Sequence, residues 1–505
     1  MISAFANTWK VAELRERIIF TLVMIVVVRL GVYITMPGVD SNVIDQYTEF
    51  KKAQGSEGGG NILNTMITIF SGGGLQQLGI FALGIMPYIS ASILMQLMTA
   101  VVPKLSRLSK EDGGRQKINQ YTRFITIIIA VVQGGFLANQ VYGSPQTLPF
   151  FNGIDQIGDV VSGGYSRFSF VSIFTLTIVS GTLLLMWIGD QMTENGIGNG
   201  TSIIITINII SSLPSALAVL WSSLIVGGGT GGAIFAVGLF AFLIFIIAAT
   251  IALTQGQRRI AIQYAKRTQG RKQTGGNTQY LPLKINYANV MPIIFATAIL
   301  GIPVALATMI SGGSAGWVNT LSDILSPIDI WYYLIAGAMI FFFSYFWVAT
   351  MFNPSEISEN LKRGGGYIPG IRPGQPTAKF LDFTMTRLTF AGAIFLTVIF
   401  VLPYIISQMP RQIIGGPLDY QVTQFFGGTS LLIMVGVILD VMRQVETHLL
   451  QKNYDGFLRK GKIKGRQERK QITAANKSSN NMIYLMVVIA ILFILGIVAM
   501  SIQPA

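Results

Sequence analysis

The chain has 505 residues, of which 51% are hydrophobic and only 11% charged, with a mean hydropathy of +0.56 and a formal net charge of +14. This excludes an ordinary soluble globular protein, whose core needs far less apolar surface, and marks a polytopic membrane protein. The absence of cysteine excludes disulfides, thiolate chemistry and cysteine metal sites.

About seventeen mixed-charge residues precede the first apolar run, and no small-residue cleavage pattern follows it. An uncleaved membrane helix is therefore expected rather than a signal peptide. Runs long enough to cross a bilayer, about 20 residues each, fall at 18–36, 78–102, 124–139, 168–188, 203–220, 233–253, 290–310, 330–352, 388–406 and 429–441. The third and tenth are short as bounded and extend into flanking polar residues. An eleventh run, 482–500, follows a basic linker.

Ahead of the second run lies a stretch that an ordinary membrane helix does not need: Phe70-Ser71-Gly72-Gly73-Gly74-Leu75, then a polar Gln76-Gln77 step. Successive glycines cost a helix roughly 1 kcal/mol each. Broken backbone at membrane depth survives only where protein or a water-filled cavity satisfies its polar groups. The chain is therefore expected to line a path through the membrane.

Lysine and arginine set the orientation, because positively charged loops stay cytoplasmic. With the N-terminus inside, segments 1–17, 103–123, 189–200, 255–286, 353–387 and 443–480 hold 31 of the 36 basic residues. Only Lys51, Lys52, Arg167 and Arg411 fall outside, and Arg29 lies within the first span. Spans one to five and six to ten form two sets of five that enter the membrane from opposite sides. That is the arithmetic of an inverted repeat, in which a pathway commonly follows the interface between halves.

Ionisable residues inside spans usually mark ion or proton pathways, and here they are scarce. Arg29 is read as a structural residue that caps carbonyls or pairs within the bundle. Asp440, near the inner end of span ten, is read as pairing with Arg443 or facing the inner interface. His448, the single histidine, lies outside every span. Enzyme signatures are missing: residues 270–277 lack the lysine and hydroxyl that close a phosphate-binding loop, and no HExxH occurs. No enzyme, cofactor or metal site is expected, so transport work must be powered by a partner or by the membrane potential.

Several motifs then carry a resemblance. Phe81-Ala82-Leu83-Gly84-Ile85-Met86-Pro87-Tyr88-Ile89-Ser90-Ala91-Ser92, Gly196-Ile197-Gly198-Asn199-Gly200, Gly256-Gln257-Arg258-Arg259, Tyr264-Ala265-Lys266-Arg267, Leu281-Pro282-Leu283-Lys284, Pro369-Gly370-Ile371-Arg372-Pro373-Gly374 and Gly427-Gly428-Thr429-Ser430 occur in order along the chain. They closely resemble the SecY family, the channel subunits of the bacterial preprotein translocase. The resemblance implies an all-α fold of ten transmembrane helices in two inverted pseudo-symmetric halves around a central pore. Segment 66–75, with Phe70, Ser71, Gly72, Gly73 and Gly74, resembles the plug, a half-helix that seats in the outer vestibule of the idle channel; a glycine-rich re-entrant turn is the plainer alternative.

Family matching further places Ile85, Ile89, Thr201, Ile205, Ile294 and Ile433 at a pore ring. A gasket of apolar side chains dewets and resists ions, yet conforms to any residue of a passing chain. Thr201 departs from that chemistry. From spacing alone, Ile85 and Ile89 share one helix face and read equally as core. A lateral gate is implied between spans two and seven, with Ser90, Gln96 and Asn289 as polar contributors or, equally, as helix-packing and helix-end residues. The basic loops resemble those on which the family docks the SecA motor or a ribosome, with Arg258, Arg259, Lys266, Arg267, Arg271, Lys272 and Arg372 as candidates; part of this charge enforces topology. Other implied partners are the small subunits SecE and SecG, signal sequences, nascent polypeptides and membrane lipids.

The chain thus divides into a cytoplasmic N-terminal segment (1–17), a block of spans one to six containing the plug (18–254), a basic loop (255–286), spans seven and eight (287–352), a second cytoplasmic loop (353–387), spans nine and ten (388–442), a basic tail (443–481) and an extra helix (482–500). The expected localisation is the bacterial cytoplasmic membrane. A secondary solute transporter built on an inverted repeat is the alternative function, disfavoured by the lack of buried carboxylates and by the long basic loops.

Overall fold

The computed structural model describes residues 12–53, 71–221, 229–300, 330–408 and 428–459, apart from 112, 144, 146–147, 149–150, 152–153, 155–156, 162–163, 265–266, 270–271, 275–277 and 298. The architecture is helical. Helices α1 (Ala12–Tyr33), α3 (Met86–Val101), α5 (Gly114–Gly143), α6 (Arg167–Asn195), the pair α7 (Gly200–Ser211) and α8 (Leu213–Leu220), and α9 (Gly229–Gln255) correspond to spans one to six. Span seven is helical over 291–297, and α10 (Ile330–Met351), α12 (Gln375–Gln408) and α13 (Thr429–Arg459) supply spans eight to ten. Among the described residues, six helices are long and apolar enough to cross a membrane, or seven when the bent pair of α3 and α4 (Pro103–Lys110) counts as one. Span seven beyond residue 300 and the eleventh run lie outside the described residues.

Local sequence sets the helix ends. Ser166 accepts a hydrogen bond from the Ser169 amide ahead of α6, and Asn199 accepts from the Thr201 and Ser202 amides ahead of α7. Pro214 sits in the first turn of α8, where its missing N–H costs nothing, and divides span five into two pieces. After α3 the chain bends by 105° into α4 at Pro103. Short α2 (Ser41–Ala53) follows α1.

Span two is shorter as a helix than its apolar run suggested. Residues 72–85 are turns, with Gly72, Gly73 and Gly84 at φ +64°, +88° and +56° and Leu78 at φ +45°. Helical backbone cannot pass through that left-handed sequence. A short β-bridge between Thr35 and Gly79 satisfies the broken segment instead, with hydrogen bonds from the Met36 amide to the Leu78 carbonyl (3.0 Å) and from the Ile80 amide to the Ile34 carbonyl (2.9 Å). Gly79 permits this approach, since a Cβ there would stand 2.1 Å from the Val32 carbonyl oxygen.

The basic loop after α9 is folded as a β-hairpin. Strands β1 (Gln257–Tyr264) and β4 (Thr278–Lys284) pair antiparallel from Gln257↔Lys284 to Gln263↔Thr278, and β2 (Arg267–Gln269) pairs with β3 (Lys272–Thr274) at its tip. Helix α11 (Pro354–Arg363), capped by Asn353, leads to β5 (Gly366–Tyr367), which joins the other edge of β1. The sheet order is β4-β1-β5. Ile260, Leu283 and Ile368 bury in one cluster with Phe352 and Leu381, seating the sheet on the bases of spans eight and nine.

Candidate pore constriction and plug seat

The candidate ring residues are mostly isoleucines, drawn from four spans. Ile209 and Ile433 are buried together, and Ile205, Val290, Ile294 and Val437 pack on them, so spans five, seven and ten meet at one apolar point. Ile85 is fully buried in a neighbouring cluster with Val28, Leu185 and Ile188, against which Ile89, Ile205 and Val437 also pack. Ile205 and Val437 therefore join the two clusters. Five of the six ring candidates, Ile85, Ile89, Ile205, Ile294 and Ile433, come together in this way. Ile85 is the N-cap of α3, and its carbonyl accepts the first helical bond from the Ile89 amide at 3.0 Å, which aligns the pair.

Thr201 behaves differently from the isoleucines. Its hydroxyl donates to Asn199 Oδ1 at 2.6 Å, and its methyl lies 3.2 Å from where a Cβ on Gly189 of α6 would stand. Thr201 thus completes the cap of α7 and packs on span four. Ile209, which the sequence reading did not single out, sits two turns further along the same helix in the cluster itself; the i, i+4 step from Ile205 was the signal that could have found it.

The loop entering span five is held by both ends of the bundle's sequence. Arg17 Nη1 donates to the Gly196 carbonyl (3.4 Å), the Ile197 amide donates to Thr21 Oγ1 (3.2 Å), and the Gly198 amide donates to Gln444 Oε1 (2.8 Å). Spans one and ten therefore position the start of α7. Gly198 needs its glycine, with φ +85° and the Val441 side chain 2.8 Å from where a Cβ would stand.

Of the plug candidates, Phe70 lies outside the described residues and Ser71, Gly72, Gly73 and Gly74 lie within them. Ser71 and Gly74 are buried, and the Gly74 amide donates to the Ser71 carbonyl at 3.3 Å. The Gly72 carbonyl accepts from Arg29 Nη1 at 3.1 Å, and the Arg29 guanidinium carbon lies 5.6 Å from the Tyr33 ring centre. Arg29 caps a carbonyl, as its place in span one led us to expect. Leu75 and Leu78 continue into a large cluster with Ile44 and Tyr47 of α2, Leu137 of α5 and Phe174 of α6.

At the seam between spans two and seven the contacts are apolar. Ile93 and Leu97 of α3 pack against the buried cluster that contains Phe295 and is flanked by Met291 and Ile299. Gln96 donates to Ser92 Oγ at 3.2 Å along its own helix, and its Oε1 is buried without a partner among the described residues. Ser90 is half-buried. Asn289 adopts φ +52°, and its carbonyl accepts from the buried Asn286 side chain at 3.1 Å, which makes it the turn that starts span seven. Asp440 is exposed within α13, three residues before Arg443.

The docking candidates divide by position. Arg258 and Arg259 are exposed on β1, and Arg372 is exposed in a turn flanked by Gly370 and Gly374 at φ +81° and +99°. Arg267 and Lys272 fall on the β2–β3 tip, while Lys266 and Arg271 lie outside the described residues. Because β5 pairs with β1 through Gln263↔Tyr367 and Tyr264↔Gly366, the two basic loops form one platform.

A family model described as SecY matches residues 79–442, well over half of the chain. The chain belongs to the SecY family. Curated relatives bearing the name protein translocase subunit SecY include those of Streptomyces galbus, 40% identical over 463 residues, and Thermotoga maritima, 38% identical over 468 residues. These alignments cover 91% and 92% of this chain and 100% of each relative. A solved structure of a protein-conducting channel matches with a TM-score of 0.53 at 16% identity, covering 86% of this chain and 92% of that one. A second, of a SecY protein whose plug domain is described as stabilising its closed state, matches at 0.54 and 17% identity over the same shares. Fold and family thus agree: this is a multi-pass membrane protein with the ten-span SecY architecture. Nothing in these matches supports the solute-transporter alternative.

Proposed function

We propose that this chain is the channel subunit of a Sec translocase, passing unfolded secretory polypeptides through its centre and releasing membrane segments sideways between spans two and seven. The observation that carries this reading is the convergence of isoleucines from spans two, five, seven and ten beside a glycine-hinged segment. An apolar iris resists ions by dewetting and makes no sequence-specific contact, as transport of arbitrary chains requires. The pore ring comprises Ile85, Ile89, Ile205, Ile294 and Ile433 with Ile209, and Thr201 supports it from the cap of span five. Residues 66–75 form the plug.

In this reading the N-terminus and the β-sheet platform face the cytoplasm, where the basic loops stay. Arg258, Arg259, Lys266, Arg267, Arg271, Lys272 and Arg372 then present a positive field to an anionic partner, either a SecA motor or a ribosome, whose RNA is polyanionic. SecE and SecG would complete the channel in the bacterial cytoplasmic membrane. Reconstitution with the small subunits, motor and ATP, followed by protease protection of an imported preprotein, tests the whole reading. Protected, full-length preprotein is expected. Movement of a solute against its gradient with no protected preprotein would refute it.

A further inference from the structure

We propose that Arg29 is a positioning residue that latches the base of the plug to the constriction helix, and so sets how readily the idle channel opens; this rests on the channel reading above. Arg29 is the one lysine or arginine that the sequence places within a predicted span, and a cation there is costly unless it faces the protein interior and a partner. Its partner is backbone. Nη1 donates to the Gly72 carbonyl at 3.1 Å, a charge-assisted bond to a segment whose own glycines preclude helical pairing.

The second half of the latch comes from span five. Asn208 is 2% exposed, and a Cβ on Gly72 would stand 2.6 Å from Asn208 Oδ1 and 2.7 Å from Arg29 Nη1. Gly72 is therefore gripped between span one and span five, in a left-handed conformation (φ +64°) that only glycine adopts without strain. Asn208 directly precedes Ile209 of the constriction. Displacing the plug base thus breaks the Arg29 bond and removes the backbone packed against Asn208, on the helix that carries two members of the ring. Plug and ring are mechanically one unit, and a segment entering the channel must overcome both together.

The test uses the full chain reconstituted with its small subunits in liposomes, with two readouts: idle anion flux without cargo, and motor-driven import of a preprotein carrying either an intact or a crippled signal segment. Arg29→Met keeps length and apolar bulk but removes the donor, while Arg29→Lys retains one charged donor. Arg29→Met is expected to raise idle flux by about tenfold, the shift expected from one lost charge-assisted hydrogen bond, and to admit the crippled cargo. Arg29→Lys should fall between it and the parent. Gly72→Ala, which forces the same contact apart, should leak similarly, and the double variant should leak no more than the worse single one, as expected when two changes break one interaction. Flux and cargo discrimination unchanged in Arg29→Met would overturn the latch. So would equal loss of folded protein in the Met and Lys variants, because the role would then be structural only, and so would strictly multiplicative leaks in the double variant. Failure of the parent protein to import any preprotein would refute the channel reading instead, which keeps the two failures distinct.

Discussion

Ile209 is the sharpest test of the proposed ring, because it packs on Ile433 and its sequence neighbour supplies a control. Ile209 is 1% exposed and packed on Ile433, whereas Ile210 is 38% exposed on the other face of the same helix. Truncating Ile209 to alanine opens a void of roughly 80 Å³, which at about 24 cal/mol per Å³ loosens the packed state by about 2 kcal/mol. Only this packing part applies, since lipid offers the side chain an apolar alternative that water would not. If the contact is lost in the conducting state, the closed-to-leaky ratio falls by about 30-fold, at 1.4 kcal/mol per decade. Single-channel or liposome anion conductance of the idle, reconstituted complex measures this directly. Ile209→Ala should leak and Ile209→Leu, which keeps the volume, should not. An Ile209→Ala channel as tight as the parent, or an Ile210→Ala channel that leaks more, would refute the geometry.

Three further outcomes follow from the same contacts. Thr201→Ile should lose the hydroxyl bond to Asn199, at about 1 kcal/mol of stability, without raising idle conductance; a clear increase would return Thr201 to the pore wall. Arg372→Glu should abolish motor-driven import while helix content and melting temperature stay unchanged, because flanking glycines and the 2.8 Å bond from Thr377 Oγ1 to the Arg372 carbonyl hold the turn without its side chain; normal import would remove the docking role. Burial against Phe151 raises the Tyr47 phenol above its ordinary pKa of 10.0. The stability this gives is fully present below about pH 10 and lost as pH climbs through the raised folded value. Thermal melting across alkaline pH should therefore show a step that Tyr47→Phe flattens, and an identical step in that variant would contradict the assignment.

The membrane spans were legible because bilayer thickness imposes one requirement on every helix, a long apolar run, and that requirement survives any detail of packing. Where a span departs from regularity, the apolar run misleads. Residues 78–85 are as oily as the helix that follows, yet Leu78 and Gly84 take left-handed conformations and the segment pairs with the end of span one. The glycines announced a break but not its partner, since a bridge to Thr35 is a long-range fact. The hairpin was missed for the converse reason: its seven basic residues drew attention to charge, while Ile260 and Ile262 at every second position, both buried, carried the strand signal. Thr201 shows a third kind of limit. Motif matching fixes a residue's place along the helix, but which neighbour takes its hydroxyl depends on Asn199 and on the small Gly189 of span four, neither of which enters the motif's chemistry.

The distribution of polar and apolar contacts bears on how such a channel could open without unfolding. Polar tethers cluster where the bundle should stay assembled: Gly198 to Gln444, Gly196 to Arg17, and the Arg123–Asp190 ion pair at 2.6 Å between spans three and four. At the seam of spans two and seven the packing is Ile93 and Leu97 against the cluster around Phe295. Parting an apolar seam inside a bilayer exchanges one oily neighbour for another, so its cost is the packing term alone and not the desolvation of polar groups. An incoming segment of about 20 apolar residues repays that term by filling the same surface, whereas a polar segment does not. Selection for hydrophobicity would then need no recognition site. It follows from leaving this joint to dispersion, and the buried Gln96 Oε1 beside it, without a partner among the described residues, further lowers the stability of the shut joint relative to an open one that admits water.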